Sequence, residues 1–242
     1  MIAQELLKRH LNERIDHELV LKNKIKSIDY GDFVEYFDEN GNVIYEKLKS
    51  WVNARVYSYD YNEEGKIKSR FSFDEGSTDT VRFEKYVYND GILSEIKIFD
   101  TLFTGSTKYK YYKSGNIKGI SNPNFYENYT YNNNGDIVNA VMKPKGEYLA
   151  NSSKYKWKGI YNERNLLVKE IQTHDRKYVV TWLYQYDDDG NLLQCKNDRR
   201  EHRKQVNIIK YEFNGKGLPV KRSYFDADNS LVKEQIIKYE FY

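Results

Sequence analysis

Apolar and polar residues alternate with a period of two along most of the chain. Tyr57, Tyr59 and Tyr61 are separated by single polar residues, and the same alternation covers residues 67–73 and 180–186. Successive side chains of a β-strand point to opposite faces of the sheet. The alternation therefore predicts strands that have one apolar face.

A short phrase recurs between these segments. It consists of an aromatic residue, a few Asn, Asp, Glu or Lys residues, a Gly, one polar residue and an aliphatic residue. Its Gly position, or the Asn that replaces it, falls at Gly41, Gly65, Gly91, Gly115, Gly135, Asn165, Gly190, Gly217 and Asn229. Gly and Asn are the residues that best tolerate positive φ, which tight chain reversals need. The phrase thus predicts hairpin turns with positive φ, above all at Gly41, Gly65, Gly115, Gly135 and Gly190.

The spacing of the phrase predicts the architecture. Most gaps between successive copies are 20 to 30 residues, whereas the last gap is 12, which indicates two turns in each period. We therefore expect an all-β protein, a long antiparallel meander of repeated β-hairpins with about 14–18 strands of ordinary length. Open sheets of that size curl or split, so a curled sheet, an open barrel or a spiral is expected.

The N-terminal residues follow a different period. Ile2, Leu6, Leu7, Leu11 and Ile15 recur at helical spacing, which predicts an amphipathic helix over residues 2–14. Repeat arrays need covered ends, so residues 1–25 are interpreted as a helical cap and residues 26–242 as the repeat array. The alternative is a docking helix for a partner.

Composition agrees with strands and limits the compartment. The chain has 24 Tyr, 11 Phe and 3 Trp but only five Ala, and its formal net charge is +3. Charges at Glu5, Lys8 and Arg9 interrupt any apolar run at the N-terminus, and no other run approaches a membrane span. We therefore expect no membrane association and a cytoplasmic protein. The alternative is an exported protein whose signal has been removed.

The repeated phrase resembles that of the Rhs/YD-repeat family. Its clearest copy is Tyr186-Asp-Asp-Asp-Gly190-Asn-Leu192, and the resemblance covers roughly residues 34–242. Tyr111-Tyr112-Lys-Ser-Gly115 is more weakly similar to MORN-like antitoxin repeats. The resemblance implies a spiral of β-hairpins, which in large members forms a shell around a toxin. The family's Asp-Pro-x-Gly processing motif is missing from this sequence.

No motif predicts catalysis, a cofactor or a metal. Cys195 is the single cysteine, and the four His residues lack a metal-ligand spacing. The acidic turn before Gly190 fails the EF-hand pattern, because Gln185 and Lys196 occupy positions that need acidic ligands. We therefore expect a protein that is not an enzyme and that needs no cofactor or metal.

The strongest charge feature is a basic segment after the strand that ends near Leu193. It contains Lys196, Arg199, Arg200, Arg203 and Lys204. Such a segment is typical of a solvated hairpin tip, and its functional interpretation is a contact for an acidic protein partner. Nucleic acid is disfavoured, because phosphate binding normally draws on a wider basic surface.

These observations favour a protein-binding module. Its most concrete version is a bacterial immunity or antitoxin-type protein that neutralises a toxin by direct binding. The alternatives are a cell-surface or periplasmic carbohydrate-binding module, with Trp51, Trp157 and Trp182 as stacking platforms, and a fragment of, or accessory to, an Rhs-type shell. The last strand, 236–241, either pairs with an earlier strand or leaves an open edge that accepts a partner's strand. The sequence does not indicate an oligomeric state.

Overall fold

The structure is a computed structural model. It describes residues 17–49, 55–75, 77, 79–100, 104–145, 154–174, 178–198 and 207–242. These residues form nineteen β-strands and one α-helix, α1 (His17–Asn23). The helix lies inside the predicted cap, whereas the helix predicted over residues 2–14 lies outside the described residues. Among the described residues, no helix has the length and apolarity that a membrane span requires.

The chain divides into two compact units. The first unit extends to Lys110 and includes Ile236–Tyr242, and the second comprises Tyr111–Gln235. The strands that begin in the first part of the chain are β1 (Ile25–Asp29), β2 (Phe33–Phe37), β3 (Val43–Leu48), β4 (Arg55–Tyr61), β5 (Ile67–Asp74), β6 (Thr80–Asn89), β7 (Ile92–Asp100) and β8 (Thr104–Tyr111). Neighbouring strands from β1 to β8 pair antiparallel.

The second unit continues the same pattern. Its strands are β9 (Ile117–Ser121), β10 (Phe125–Tyr131), β11 (Ile137–Pro144), β12 (Tyr155–Tyr161), β13 (Leu167–His174), β14 (Tyr178–Tyr186), β15 (Leu192–Asn197), β16 (Ile208–Phe213), β17 (Pro219–Phe225) and β18 (Leu231–Ile236). Neighbours from β9 to β17 pair antiparallel. The predicted all-β antiparallel meander is confirmed. The strands outnumber the predicted 14–18, partly because a hairpin at Gly31 precedes the first recognised phrase.

Each phrase except the one at Gly91 forms the same bulged hairpin turn. At Gly91 the loop has only two residues, because Asn89 pairs with Ile92 and both Asp90 and Gly91 have positive φ. In the first copy, the Gly41 N–H donates to the Asp38 carbonyl, and the Asp38 N–H donates to the Asn42 carbonyl, both at 2.9 Å. The Asp38 side chain also accepts the N–H groups of Asn40 and Asn42. The strand register shifts directly beside the turn. This is the three-residue hairpin whose bulge position needs positive φ.

The predicted backbone conformation is confirmed at every copy of the phrase. The φ angle is positive at Gly41, Gly65, Gly91, Gly115, Gly135, Asn165, Gly190, Gly217 and Asn229. At the two Asn positions φ is 61°. The side chain that opens the turn, Asp or Asn, accepts the same two backbone N–H groups at Asn62 and Asn132, and one of them at Asn162. Apart from the copy at Gly91, the repeat is therefore a repeat of one hydrogen-bonded turn.

The aromatic residue of the phrase links successive copies. The Tyr61 hydroxyl donates to the Val43 carbonyl at 2.7 Å, and Val43 is the aliphatic residue of the preceding phrase. The same bond joins Tyr88 to Ile67, Tyr131 to Ile117, Tyr161 to Ile137 and Tyr186 to Leu167, at 2.7 to 2.9 Å. The tyrosine ring thus covers the sheet while its hydroxyl fixes the neighbouring hairpin, which explains why most copies of the phrase begin with Tyr.

The last strand closes onto the first. Strand β19 (Lys238–Phe241) pairs antiparallel with β1, so that Ile28 faces Tyr239. The Tyr242 N–H then donates to the Lys24 carbonyl at 2.9 Å, and its hydroxyl donates to the Phe37 carbonyl. The prediction that this strand pairs with an earlier one is confirmed. The alternative of an open edge for a partner's strand is wrong, because main-chain groups of β1 occupy that edge.

Candidate functional site

The buried face of the second unit is polar as well as aromatic. Glu170 is fully buried, and its carboxylate accepts the Trp157 indole N–H at 2.8 Å and the Gln172 amide at 2.6 Å. Burial raises the pKa of Glu170, and these two donors partly oppose that shift. Trp157 is thereby fixed in the core, so the hypothesis that it is a carbohydrate platform is wrong.

A second buried carboxylate lies in the first unit. Glu84 forms ion pairs with Arg70 at 2.9 Å and with Arg82 at 2.7 Å. Burial opposes the charged form of Arg70, but the neighbouring Glu84 carboxylate outweighs it together with nearby tyrosines, so the pKa of Arg70 is raised. Both Glu84 and Glu170 are satisfied by protein groups and shielded from solvent. They stabilise the fold rather than offer a reactive group.

The single thiol is equally unsuited to catalysis. Cys195 is fully buried on β15, and burial raises its pKa to about 12. A nucleophilic cysteine needs a lowered pKa and access to substrate. The His17 Nε2–H donates to the Asn40 carbonyl at 3.1 Å. Across the described residues, no three His, Cys, Asp or Glu side chains cluster as metal ligands would.

The outward side of β11–β15 is a basic surface, which we call the basic face. It carries Lys143, Lys156, Lys158, Lys169 and Lys196. On β12 these lysines alternate with the buried residues Tyr155 and Trp157, which sets their direction. The outward strand positions between β11 and β15 contain no Asp or Glu. Asp198 follows β15, where its carboxylate accepts the Thr181 N–H at 2.8 Å.

The strand register arranges this face in mixed rows. Ile160 lies opposite Lys169, Lys169 opposite Leu183, and Leu183 opposite Lys196. Adjacent strands lie about 4.8 Å apart, which places Lys169 and Lys196 about 10 Å from each other with Leu183 between them. Leu183 is 49% exposed and Val179 is 53% exposed. Cationic and apolar side chains therefore alternate across the basic face.

The lysines of the basic face are available to a partner. Within the described part of the chain none of them forms an ion pair. Elsewhere lysines do find carboxylates, as Lys221 does with Glu212 and Glu234. Unpaired like charges on one surface repel each other, and an acidic surface that covers them relieves this repulsion.

Only one of the predicted partner-binding residues is described by the structure. Lys196 lies on β15, exposed and on the basic face. Arg199, Arg200, Arg203 and Lys204 lie outside the described residues, as does Trp51. Sequence reasoning missed the other four lysines of the face. A signal was present in Lys154-Tyr-Lys156-Trp-Lys158, where lysine alternates with aromatic residues at strand spacing.

The first unit has an aromatic row on its outward side. The cross-strand pairs place Phe71 opposite Phe83, and Phe83 opposite Phe99. The ring centroids are 4.9 Å and 5.7 Å apart, with interplanar angles of 34° and 24°. The rings therefore cover each other's faces and present their edges to solvent. A sugar stacks on an open ring face, so this row does not favour the carbohydrate alternative.

Comparisons with known proteins support the fold alone. No family model and no curated protein matches the chain. A porin-like protein from Bacteroides uniformis is similar in structure, with a TM-score of 0.52 and 9% identity over 90% of this chain and 98% of that chain. At this identity, the similarity shows a shared arrangement of strands alone.

Two toxin structures are more distant. A Tc holotoxin pore from Photorhabdus luminescens is 13% identical, with a TM-score of 0.37, and a TcdB2-TccC3 structure without its hypervariable C-terminal region is 12% identical, with a TM-score of 0.36. Each alignment covers 86% of this chain, which spans 14% of those chains. These scores are too low to define a common fold. The hairpin array that the Rhs/YD resemblance implies is present, while membership of the family stays a prediction.

Proposed function

We propose that this protein is a non-enzymatic protein-binding module and that the basic face binds an acidic protein surface. The observation that carries the proposal is the set of lysines on β11–β15, all exposed except the half-buried Lys169, that lack carboxylate partners within the described residues. Exposed Leu183 and Val179 lie among them and supply apolar contact area. Mixed cationic and apolar surfaces suit proteins, whose interfaces combine charge complementarity with apolar burial.

The most concrete version of this function is neutralisation of a toxin by direct binding. An acidic toxin surface seated on the basic face would be captured rapidly, because opposite charges accelerate association. The basic segment of Arg199, Arg200, Arg203 and Lys204 begins three residues after Lys196 in sequence. Nucleic acid fits less well, because the formal net charge is only +3 and exposed leucine and valine interrupt the lysines.

The test uses two variants with equal changes in charge. The face variant replaces Lys156, Lys158, Lys169 and Lys196 by Glu. The control variant replaces Lys68, Lys85, Lys97 and Lys110, which are exposed in the first unit, by Glu. Tagged protein is used to isolate a partner from its native cells, and the purified partner is then titrated against all three proteins by calorimetry.

We expect the face variant to bind at least tenfold more weakly, while the control variant binds like the wild type. Affinity should also fall as salt rises from low to physiological concentration, because exposed charges are screened. If the partner inhibits growth, coexpression of wild-type protein should restore growth and coexpression of the face variant should not. Equal binding by both variants, or a partner that proves to be nucleic acid, would contradict the proposal.

A further inference from the structure

A cleft lies beside the basic face on the outward side of β15–β18. It has a volume of about 480 Å³, and its apolar wall is formed by Leu193, Phe225 and Leu231. Leu193 is 42% exposed and Leu231 is 54% exposed, so both present apolar surface to solvent. Exposed apolar surface of this kind, rimmed by polar groups, is typical of protein-binding sites.

Two lysines line the cleft, and only one of them is paired with carboxylates. Lys221 is held between Glu212 at 3.3 Å and Glu234 at 2.6 Å, so these three charges satisfy one another. Lys210 instead places its ammonium 4.7 Å from the centroid of the Phe225 ring. No described carboxylate pairs with Lys210. The cleft thus offers an apolar wall next to one available cation.

The cleft is continuous with the basic face. Gln185 lies opposite Gln194, and Gln194 lies opposite Lys210, in the row next to Leu183 and Lys196. Residues two positions apart on the same face of a strand are separated by about 7 Å. A single protein segment can therefore contact both the basic face and the cleft. A partner seated on the lysines would place its neighbouring side chains over the cleft.

We infer that the cleft receives an apolar side chain of the acidic partner, with an adjacent carboxylate of that partner bound by Lys210. The inference rests on the proposed function, since it assigns the cleft to the same interface. Its chemical basis is complementarity: an apolar group fits the wall of Leu193, Phe225 and Leu231, and a carboxylate fits the available ammonium. Buried apolar anchors of this kind contribute a large share of the affinity of an interface.

The experiment uses defined probes rather than an unknown partner. The first probe is a fluorescent acidic peptide of Glu and Gly with one central phenylalanine, and the second has alanine in place of phenylalanine. Burial of one phenylalanine corresponds to about tenfold in affinity, so we expect the first peptide to bind about tenfold more tightly in anisotropy titrations. A third probe is single-stranded DNA of equal charge, which should bind more weakly than the first peptide.

Two variants separate the cleft from the basic face. Leu193→Ala combined with Leu231→Ala should remove the advantage of the phenylalanine peptide and leave the alanine peptide unaffected. Ile44→Ala combined with Ile92→Ala is the matched control, because these residues are similarly exposed in the first unit. Melting curves verify that each variant is folded. Lys210→Gln should weaken both peptides, and the Glu-substituted face variant should abolish binding of both.

The outcomes distinguish the two proposals. Equal affinity for both peptides, or an unchanged phenylalanine advantage in the leucine variant, would overturn the cleft inference while acidic binding by the basic face survives. If neither peptide binds, or if DNA binds most tightly, the proposed function falls and the cleft inference falls with it. A photoreactive phenylalanine analogue in the first peptide should crosslink to the segments that contain Leu193 or Leu231, and crosslinks elsewhere would also refute the inference.

Discussion

The hydroxyls of the repeat tyrosines should contribute measurably to stability, and Tyr→Phe substitution tests this directly. Tyr61, Tyr131, Tyr161 and Tyr186 each donate to a carbonyl of the preceding phrase at 2.7 to 2.9 Å. Phenylalanine keeps the ring and removes only the hydroxyl. The phrase itself accepts Phe, as at Phe37, so the turn does not require the hydroxyl.

The expected magnitude follows from the bond that is lost. A typical hydrogen bond contributes about 0.5–1.5 kcal/mol to folding, and each substitution also leaves a partly buried carbonyl without this donor. Tyr131, Tyr161 and Tyr186 lie on alternate strands, about 10 Å apart, so their effects should be nearly additive. The fourfold variant with Tyr61 should therefore lose about 2–6 kcal/mol, and each single variant should melt about 1–6 °C lower.

Urea unfolding and calorimetry at neutral pH measure these changes. Tyr126→Phe is the matched control, because Tyr126 is exposed and its hydroxyl has no hydrogen bond within the described residues. The control should change the unfolding free energy by less than about 0.5 kcal/mol. If the four repeat positions behave like this control, the hydroxyl links do not hold successive hairpins together, and the account of why the phrase begins with Tyr is wrong.

Three further results are expected. In thermal melts, Gly65→Val should destabilise the protein by about 1–3 kcal/mol and Gly65→Asn by clearly less. No other residue approaches Gly65, so the cost is backbone strain alone, and Asn165 shows that Asn is accepted at positive φ. Truncation after Glu234 removes β19, so the shortened protein should aggregate or melt early, and a normal melting curve would contradict the closing role of that strand. Burial raises the pKa of Tyr61 and Tyr186 to about 12, compared with about 10 in unfolded chains. Because the unfolded state therefore loses these protons at lower pH, the free energy of unfolding should fall as pH rises from 10 towards 12, and unfolding followed by circular dichroism measures this fall.

The turns and strands were predictable because their causes are local. Positive φ at Gly41 or Asn165 follows from which residues tolerate that conformation, and the strands follow from alternation over a few positions. The hairpin at Gly31 was missed, since the residues before it do not form the repeated phrase. The tyrosine links were also missed. They join phrases about 20 to 30 residues apart, and which carbonyl a hydroxyl reaches depends on register, which local pattern does not reveal.

The basic face was predictable only in part, for a related reason. Lys196 was identified from a run of charges along the chain, whereas Lys156 and Lys169 belong to different strands and lie on one face only through pairing. Linear clustering also drew attention to Arg199 and its neighbours, which the structure leaves undescribed. Predicting such a surface requires two steps. The alternation on each strand identifies the outward residues, and the strand register then shows which outward charges are neighbours.

The repeat explains how such different surfaces arise from one turn and one pattern. Inward positions are constrained, because Glu170 must accept the Trp157 N–H and each repeat tyrosine must reach a backbone carbonyl of the preceding phrase within a packed face. Outward positions carry no such requirement, since their side chains need only suit a pleated surface. Lysines occupy them on β12, whereas stacked phenylalanines occupy them on β5–β7. Function in this chain should therefore vary through outward residues, and substitutions such as Lys169→Glu should change binding while leaving the melting temperature close to that of the wild type.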